Sequence, residues 1–190
     1  MKDNDLLQRF QRGDADAFTQ LVDQYKHRVT NICYRFLSDR EDARDVTQDV
    51  FMAVYKSLGS FRQEAKLSTW VYRIAVTRSL NFVKKRKRKA RFEQVRDMLT
   101  FKEEAGLESA SVTTPEKELE QQEEFQVLQQ ALDSLPKNQK IAFTLSQYDG
   151  VKYAEIAAIM DTTISSVESL IFRARKNLQK KLFHYYGAHK

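Results

Sequence analysis

The chain is poor in the residues that break helices and turn strands. Its 190 residues include five glycines and two prolines, where ordinary usage would supply roughly 12% of the two together. Sheet-rich folds spend turn residues every few positions, so this scarcity argues against a sandwich or barrel and predicts long helices. A single cysteine, Cys33, excludes an internal disulfide and a multi-thiolate metal site. Long apolar runs are also missing. The longest, Val50 to Tyr55, has six residues, far short of the ~18 that a membrane span requires. The opening residues, Met1-Lys2-Asp3-Asn4-Asp5, lack the apolar segment of a secretory signal. These absences predict a cytoplasmic, all-α protein with no membrane insertion.

Charge, by contrast, is abundant and unevenly laid out. The net value of +6 conceals three blocks. Residues 1–96 carry 21 Lys and Arg against 12 Asp and Glu, residues 97–124 carry 2 against 9, and residues 125–190 carry 9 against 5. Two basic blocks flanking an acidic connector point to two modules that meet a polyanion.

Apolar periodicity fills those blocks with helices. Asp14 opens a pattern running through Phe18, Leu21, Val22, Tyr25, Val29, Ile32, Cys33, Phe36 and Leu37, one face of a helix on which Cys33 is a small hydrophobe. A short helix over Leu6 to Phe10 precedes it. The next helix starts near Ser38 or Asp39, uses Ala43, Val46, Val50, Val54 and Leu58, and stops at Gly59. After a polar loop from Ser60 to Lys66, Ser68 or Thr69 can cap a helix bearing Trp70, Val71, Ile74, Ala75 and Phe82. Periodicity lapses from Met98 to Thr114, which reads as a linker. Thr114-Pro115-Glu116 restarts a helix, whose stripe ends at Leu135 before Pro136. A helix with Ile141, Leu145 and Tyr148 closes at Asp149-Gly150, and another covers Tyr153 to Met160. Ser165-Ser166-Val167-Glu168 forms a capping box that opens the last helix. The turn before it, Asp161-Thr162-Thr163, is short enough for a helix-turn-helix, with Asp161 tolerating a left-handed backbone.

Four features carry chemistry. Lys84 to Arg91 places seven cations in eight residues at the end of the third main helix. The helix dipole would account for one or two of them, whereas phosphate contact accounts for seven. Trp70 and Phe82 belong with the core, while Tyr72 and Arg73 fall off the stripe and Phe61 sits in the polar loop. Exposed aromatics beside cations suit single-stranded DNA, and ordinary packing is the alternative. Asp42, Asp45 and Asp49 share one helix face, open to Mg²⁺, to a basic protein partner or to solvent. With no second acidic cluster and no Gly-rich phosphate loop, metal catalysis is the weakest of these readings. Finally, Ser166, Ser169, Arg173 and Lys176 are exposed by the last helix, as base-edge reading in a major groove requires. Arg175, Lys180 and Lys181 fit phosphates.

Together these motifs resemble an extracytoplasmic-function sigma factor, the small two-domain class of bacterial transcription initiation factors. Asp42-Ala43-Arg44-Asp45-Val46-Thr47-Gln48-Asp49-Val50-Phe51 is similar to the family segment that grips RNA polymerase. Phe61 through Ala75, ending Leu67-Ser68-Thr69-Trp70-Val71-Tyr72-Arg73-Ile74-Ala75, resembles the segment that opens and reads the minus-ten element. Leu135-Pro136-Lys137-Asn138-Gln139 and Tyr153-Ala154-Glu155-Ile156-Ala157 resemble the domain whose final helix reads the minus-thirty-five element. Arg44 departs from the family's usual acid, Leu67 from a common Phe, Asp161 from Gly or Asn, and Glu168 from a frequent Lys.

The resemblance implies two small helical domains, residues 1–97 and 115–190, joined by a flexible acidic linker at 98–114. It implies polymerase contact through Asp42, Asp45, Gln48, Asp49 and Phe51. It assigns minus-ten contact to Phe61, Arg62, Lys66, Thr69, Trp70, Tyr72, Arg73, Arg78, Asn81, Lys84 and Lys85. Minus-thirty-five contact falls to Ser165, Ser166, Ser169, Arg173, Arg175 and Lys176. The implied partners are the beta-prime clamp helices and beta flap of core RNA polymerase, promoter DNA as duplex and as non-template single strand, and an anti-sigma factor. No cofactor, metal or catalysis is implied. A free-standing helix-turn-helix regulator of duplex DNA is the alternative, although it would use neither the acidic helix nor the aromatic loop.

Overall fold

The computed structural model describes residues 2–99, 127–147 and 151–188, and among these every regular element is a helix. No helix among them is long and apolar enough to cross a membrane. The expected Thr114 cap, the linker beyond residue 99 and the Asp149-Gly150 stop lie outside the described residues.

The first body consists of α1 (Lys2–Gln11), α2 (Ala15–Leu37), α3 (Arg40–Leu58) and the first half of α4 (Leu67–Leu99). Local chemistry sets each boundary. Gly13 takes φ +92 between α1 and α2, a conformation cheap only for glycine. The carboxylate of Asp14 then accepts from the Asp16 amide at 2.9 Å and caps α2. Ser38 closes α2 in the left-handed region, and Asp39 opens α3 by accepting from the Asp42 amide at 2.8 Å. α1 is tied down by Leu6 and Leu7, both buried, and by Tyr25, whose hydroxyl donates to Asp3 at 2.8 Å. Burial, followed by that acidic neighbour, pushes the Tyr25 phenol far above its usual range. Cys33 lies wholly in the core, and desolvation raises its thiol too, leaving it an inert packing group.

The second body holds a helical segment at 127–133, labelled α5, followed by α6 (Lys137–Ser146), α7 (Tyr153–Met160) and α8 (Ile164–Ala188). α7 ends at Asp161, which adopts φ +56 as the turn requires. α6, α7 and the start of α8 share one buried cluster with the first body, through Ile141, Ile156, Ile159, Val167 and Ile171. A smaller cluster of Ala131, Leu135, Ala174 and Leu178 joins α5 to the rest of α8. The two bodies are therefore packed together, a contact that composition and periodicity did not announce.

α4 departs most from expectation. It begins at Leu67 rather than at Ser68 or Thr69, and it continues to Leu99. Nothing between these residues breaks a helix, and Lys, Arg, Glu, Gln and Ala all favour one. The basic run therefore sits mid-helix, not at a helix end.

Candidate nucleic-acid and protein interfaces

Val83 is the last buried residue of α4 among those whose side chains are described, through residue 93, and every position from Lys84 to Phe92 is exposed. From there the helix runs on with exposed cations around it, tied back only by the ion pairs Arg86–Asp42 and Lys87–Asp133 among the described residues. Arg91 lies about two turns before Leu99, so the helix dipole does not account for the run. Arg78, Asn81, Lys84 and Lys85 are all exposed along this helix, as are Arg62 and Lys66 in the preceding loop. These five cations and one amide form an open basic track.

The ring and hydroxyl residues of the same segment are placed differently. Tyr72, expected off the apolar stripe, is 1% exposed and packs edge-on against Tyr25 at 6.0 Å. Thr69 is also buried. Neither side chain is exposed in this structure, contrary to the exposure that the expected contact with DNA requires. The reason is that α4 lies against α2 on one side and α3 on the other. It buries the wide arc Leu67, Val71, Tyr72, Ala75, Val76, Ser79 and Val83, while Trp70, Ile74 and Phe82 are only half-buried. Phe61 is half-buried as well, its ring 4.8 Å from that of Trp70 and tilted by 35°. This pair forms a ready-made aromatic shelf at the loop. Arg73 points to the second body, where it meets the backbone carbonyls of Ala158 and Ile159.

On α3 the acidic residues separate. Asp42 accepts from Arg86 of the basic run at 2.8 Å, whereas Asp45, Gln48 and Asp49 are exposed. No group of three His, Cys, Asp or Glu residues among those described is placed to hold a metal ion. Phe51 is buried, but its edge helps line a groove of about 1170 Å³ between α2 and α3, together with Phe18, Tyr34, Gln48, Met52 and Tyr55. Arg44, the unusual cation, also lines it. Met52 and Tyr55 are about half-exposed and were missed as site residues. The signal was available: at 100° per residue, the unbroken run Val50 to Tyr55 wraps around the helix, so part of it must face outward.

The last helix carries its expected residues but starts otherwise. The side chain of Thr163 accepts from the Ser166 amide at 3.2 Å and caps α8. Ser165 is already helical, its hydroxyl 3.2 Å from that of Thr163, so the capping box at Ser165 and Glu168 is replaced by a cap two residues earlier. Ser165, Ser169, Arg173, Arg175 and Lys176 are exposed and Ser166 half-buried. Phe172, 68% exposed beside Arg173, joins this face. It was overlooked because it follows Leu170 and Ile171, which are core.

Comparison with known proteins matches these faces to a family. The sigma-70 region 2 model matches residues 21–89, and the sigma-70 region 4 model matches residues 125–178. The RNA polymerase sigma-H factor of Pseudomonas aeruginosa is 34% identical over 95% of this chain and 94% of its own length. The ECF RNA polymerase sigma-E factor of Escherichia coli K12 is 35% identical over 96% of this chain and 95% of its own. Among solved structures, CnrH in complex with the cytosolic domain of CnrY aligns with a TM-score of 0.63 at 22% identity, covering 96% of this chain and 97% of that one. The sigma factor RpoE of Bartonella quintana, in complex with the anti-sigma factor NepR, aligns at 0.55 and 24% identity over 87% and 96%. With both regions in order and near-full-length relatives above 30% identity, this chain belongs to the extracytoplasmic-function group of sigma-70 factors.

Proposed function

We propose a division of labour along the chain for the family's function, which is to bind core RNA polymerase and direct promoter-specific initiation. Residues 1–97 form the domain that docks on polymerase and reads the minus-ten element. Residues 98–114 are the connector, and residues 115–190 read the minus-thirty-five element. The observation that carries the reading is the pairing of an open basic track on α4 with an exposed helix-turn-helix face on α8.

Within this reading, Asp45, Gln48 and Asp49 meet the beta-prime clamp helices of polymerase, with the Met52 and Tyr55 groove receiving apolar side chains beside them. The beta flap is the expected contact of the second domain. Arg62, Lys66, Arg78, Asn81, Lys84 and Lys85 hold the minus-ten strand, and the Phe61–Trp70 shelf receives a base lifted from the stack. Unstacking costs a few kcal/mol, which ring stacking and nearby cations offset. Phosphate contacts set the register. Ser165, Ser169, Phe172 and Arg173 address base edges in the major groove, with Arg fitting guanine and Phe a thymine methyl group. Catalysis belongs to polymerase, so the chain acts in the cytoplasm without a cofactor or catalytic group of its own. An anti-sigma partner is supported by the solved neighbour RpoE, which was determined with the anti-sigma factor NepR, and CnrH was likewise solved with another protein, the cytosolic domain of CnrY.

The test combines the purified chain with core polymerase. Co-migration in size exclusion is expected, with transcript starts downstream of two spaced DNA boxes. Asp45→Lys together with Asp49→Lys should weaken the association by about tenfold or more through like-charge and lost-pair penalties. Failure to co-migrate, alongside tight duplex binding by the chain alone, would favour the free-standing regulator.

A further inference from the structure

We propose that α1 belongs to the polymerase-docking site as its brace, with Phe10 holding the ring of Tyr55 in the pose that walls the groove between α2 and α3. This rests on the assignment of that groove to polymerase and adds a positioning residue to it.

α1 lies ahead of residues 21–89, the stretch matched to sigma-70 region 2. Asp3, Leu6, Leu7 and Phe10 follow one another at helical spacing and share one of its sides. Asp3 accepts from the Gln24 side chain at 2.7 Å and from the Tyr25 hydroxyl at 2.8 Å. Leu6 and Leu7 are buried. The far end of α1 is held as well. Arg9 pairs with Asp14 at 2.8 Å, and the Gln11 side-chain amide donates to the Gly59 carbonyl, where α3 stops, at 3.4 Å. A helix of ten residues is marginal by itself, so these ties decide where Phe10 lies.

Phe10 meets two rings. Its centroid is 5.5 Å from that of Tyr55 at an interplanar angle of 78°, and 5.9 Å from that of Phe18 at 47°. Phe18 in turn stands 4.9 Å from Tyr55 at 77°. Both phenylalanines therefore meet Tyr55 edge to face, at separations where aromatic pairs attract. Tyr55 is nevertheless 54% exposed. Phe18 and Tyr55 line the groove, and Phe10 stands behind them. Any effect of Phe10 on a docking chain passes through its neighbours' rings. Clasping a ring that stays half in solvent adds little burial, but it restricts the rotamers of Tyr55 before a partner arrives. Association otherwise has to meet the cost of ordering each mobile side chain at the interface. A wall fixed in advance removes that cost for Tyr55.

The test measures the affinity of the full chain for core polymerase in a double-mutant cycle of Phe10→Leu and Tyr55→Ala, with each folded fraction taken from urea unfolding. Tyr55→Ala should weaken association about tenfold, as loss of an interface tyrosine does. Phe10→Leu keeps an apolar residue but loses the ring, and should weaken association about threefold. Added to Tyr55→Ala, Phe10→Leu should have no further effect, because the ring it positions is gone. Phe10→Tyr keeps the ring and should bind as the parent does. An unchanged affinity in Phe10→Leu, or an equal loss in both backgrounds, would overturn the brace while leaving the groove assignment intact. If Tyr55→Ala binds as tightly as the parent chain, the groove is no part of the docking site and the brace falls with it. A parent chain that does not bind core polymerase overturns the docking reading as a whole.

Discussion

Replacing Tyr72 by alanine is expected to cost about 3–5 kcal/mol of stability, the range for emptying a buried aromatic site, measured by urea unfolding. Its ring fills space against Tyr25, and its hydroxyl accepts from Arg28 at 3.4 Å. Tyr72→Leu refills part of that volume and should retain single-stranded DNA binding once the folded fraction is accounted for. A folded Tyr72→Leu protein that no longer bound DNA would return the ring to the base-stacking role that its residue type suggested. One step around the helix separates these roles. Arg73 turns to the second body and Trp70 supports the Phe61 shelf, while Tyr72 turns inward. Residue type made all of them candidates, but only position around α4 separated the buried ring of Tyr72 from the side chains left partly exposed.

At the scale of the element, caps and charge make two predictions. Thr163→Ala should destabilise the second body by about 1 kcal/mol, as loss of an N-cap does, whereas Ser165→Ala should change the melting temperature little. The reverse ranking would restore the Ser165 capping box. Both residues are acceptable caps, and chain direction at the turn chose between them. Along α4, neutralising Lys84 and Lys85 to Gln should lower affinity for all promoter sequences alike. The slope of log affinity against log salt should flatten by up to ~0.9 per lost phosphate contact. An unaltered slope would make these lysines ordinary solvated surface. The exposed run was legible as a charge pattern. That it encircles a continuing helix followed from the absence of any breaker before Leu99.

At the scale of the molecule, Asp133 couples the bodies to pH. Burial pushes its pKa up, but hydrogen bonds from Lys140 at 2.6 Å and Lys87 pull it down further, leaving it below the ordinary carboxylate value. Because the folded-state value is the lower one, its contribution is fully present above the unfolded-state pKa. It is lost as pH falls through the depressed native value. The contribution of the Lys87–Asp133–Lys140 cluster to folding stability should therefore hold steady from neutrality down to about pH 5 and decline only in stronger acid, below the usual carboxylate range near ~3.9. Urea unfolding followed against pH would check this, and Asp133→Asn should abolish that acid-dependent loss.

Composition and spacing alone determined that this chain is helical and that it carries two basic blocks, and the resemblance of its motifs to a known family supplied the order of a sigma factor. Helix formation and capping depend on neighbours within a turn or two, and charge blocks are read by counting, so each is local information. Tertiary structure alone decided which arc of α4 is buried and where Arg73 points. A stripe reveals that a helix has a partner, but not that α4 has one on each of two sides. Nor can it show that a guanidinium will find carbonyls some 85 residues away. That pairing exists only once both bodies are folded and placed against each other.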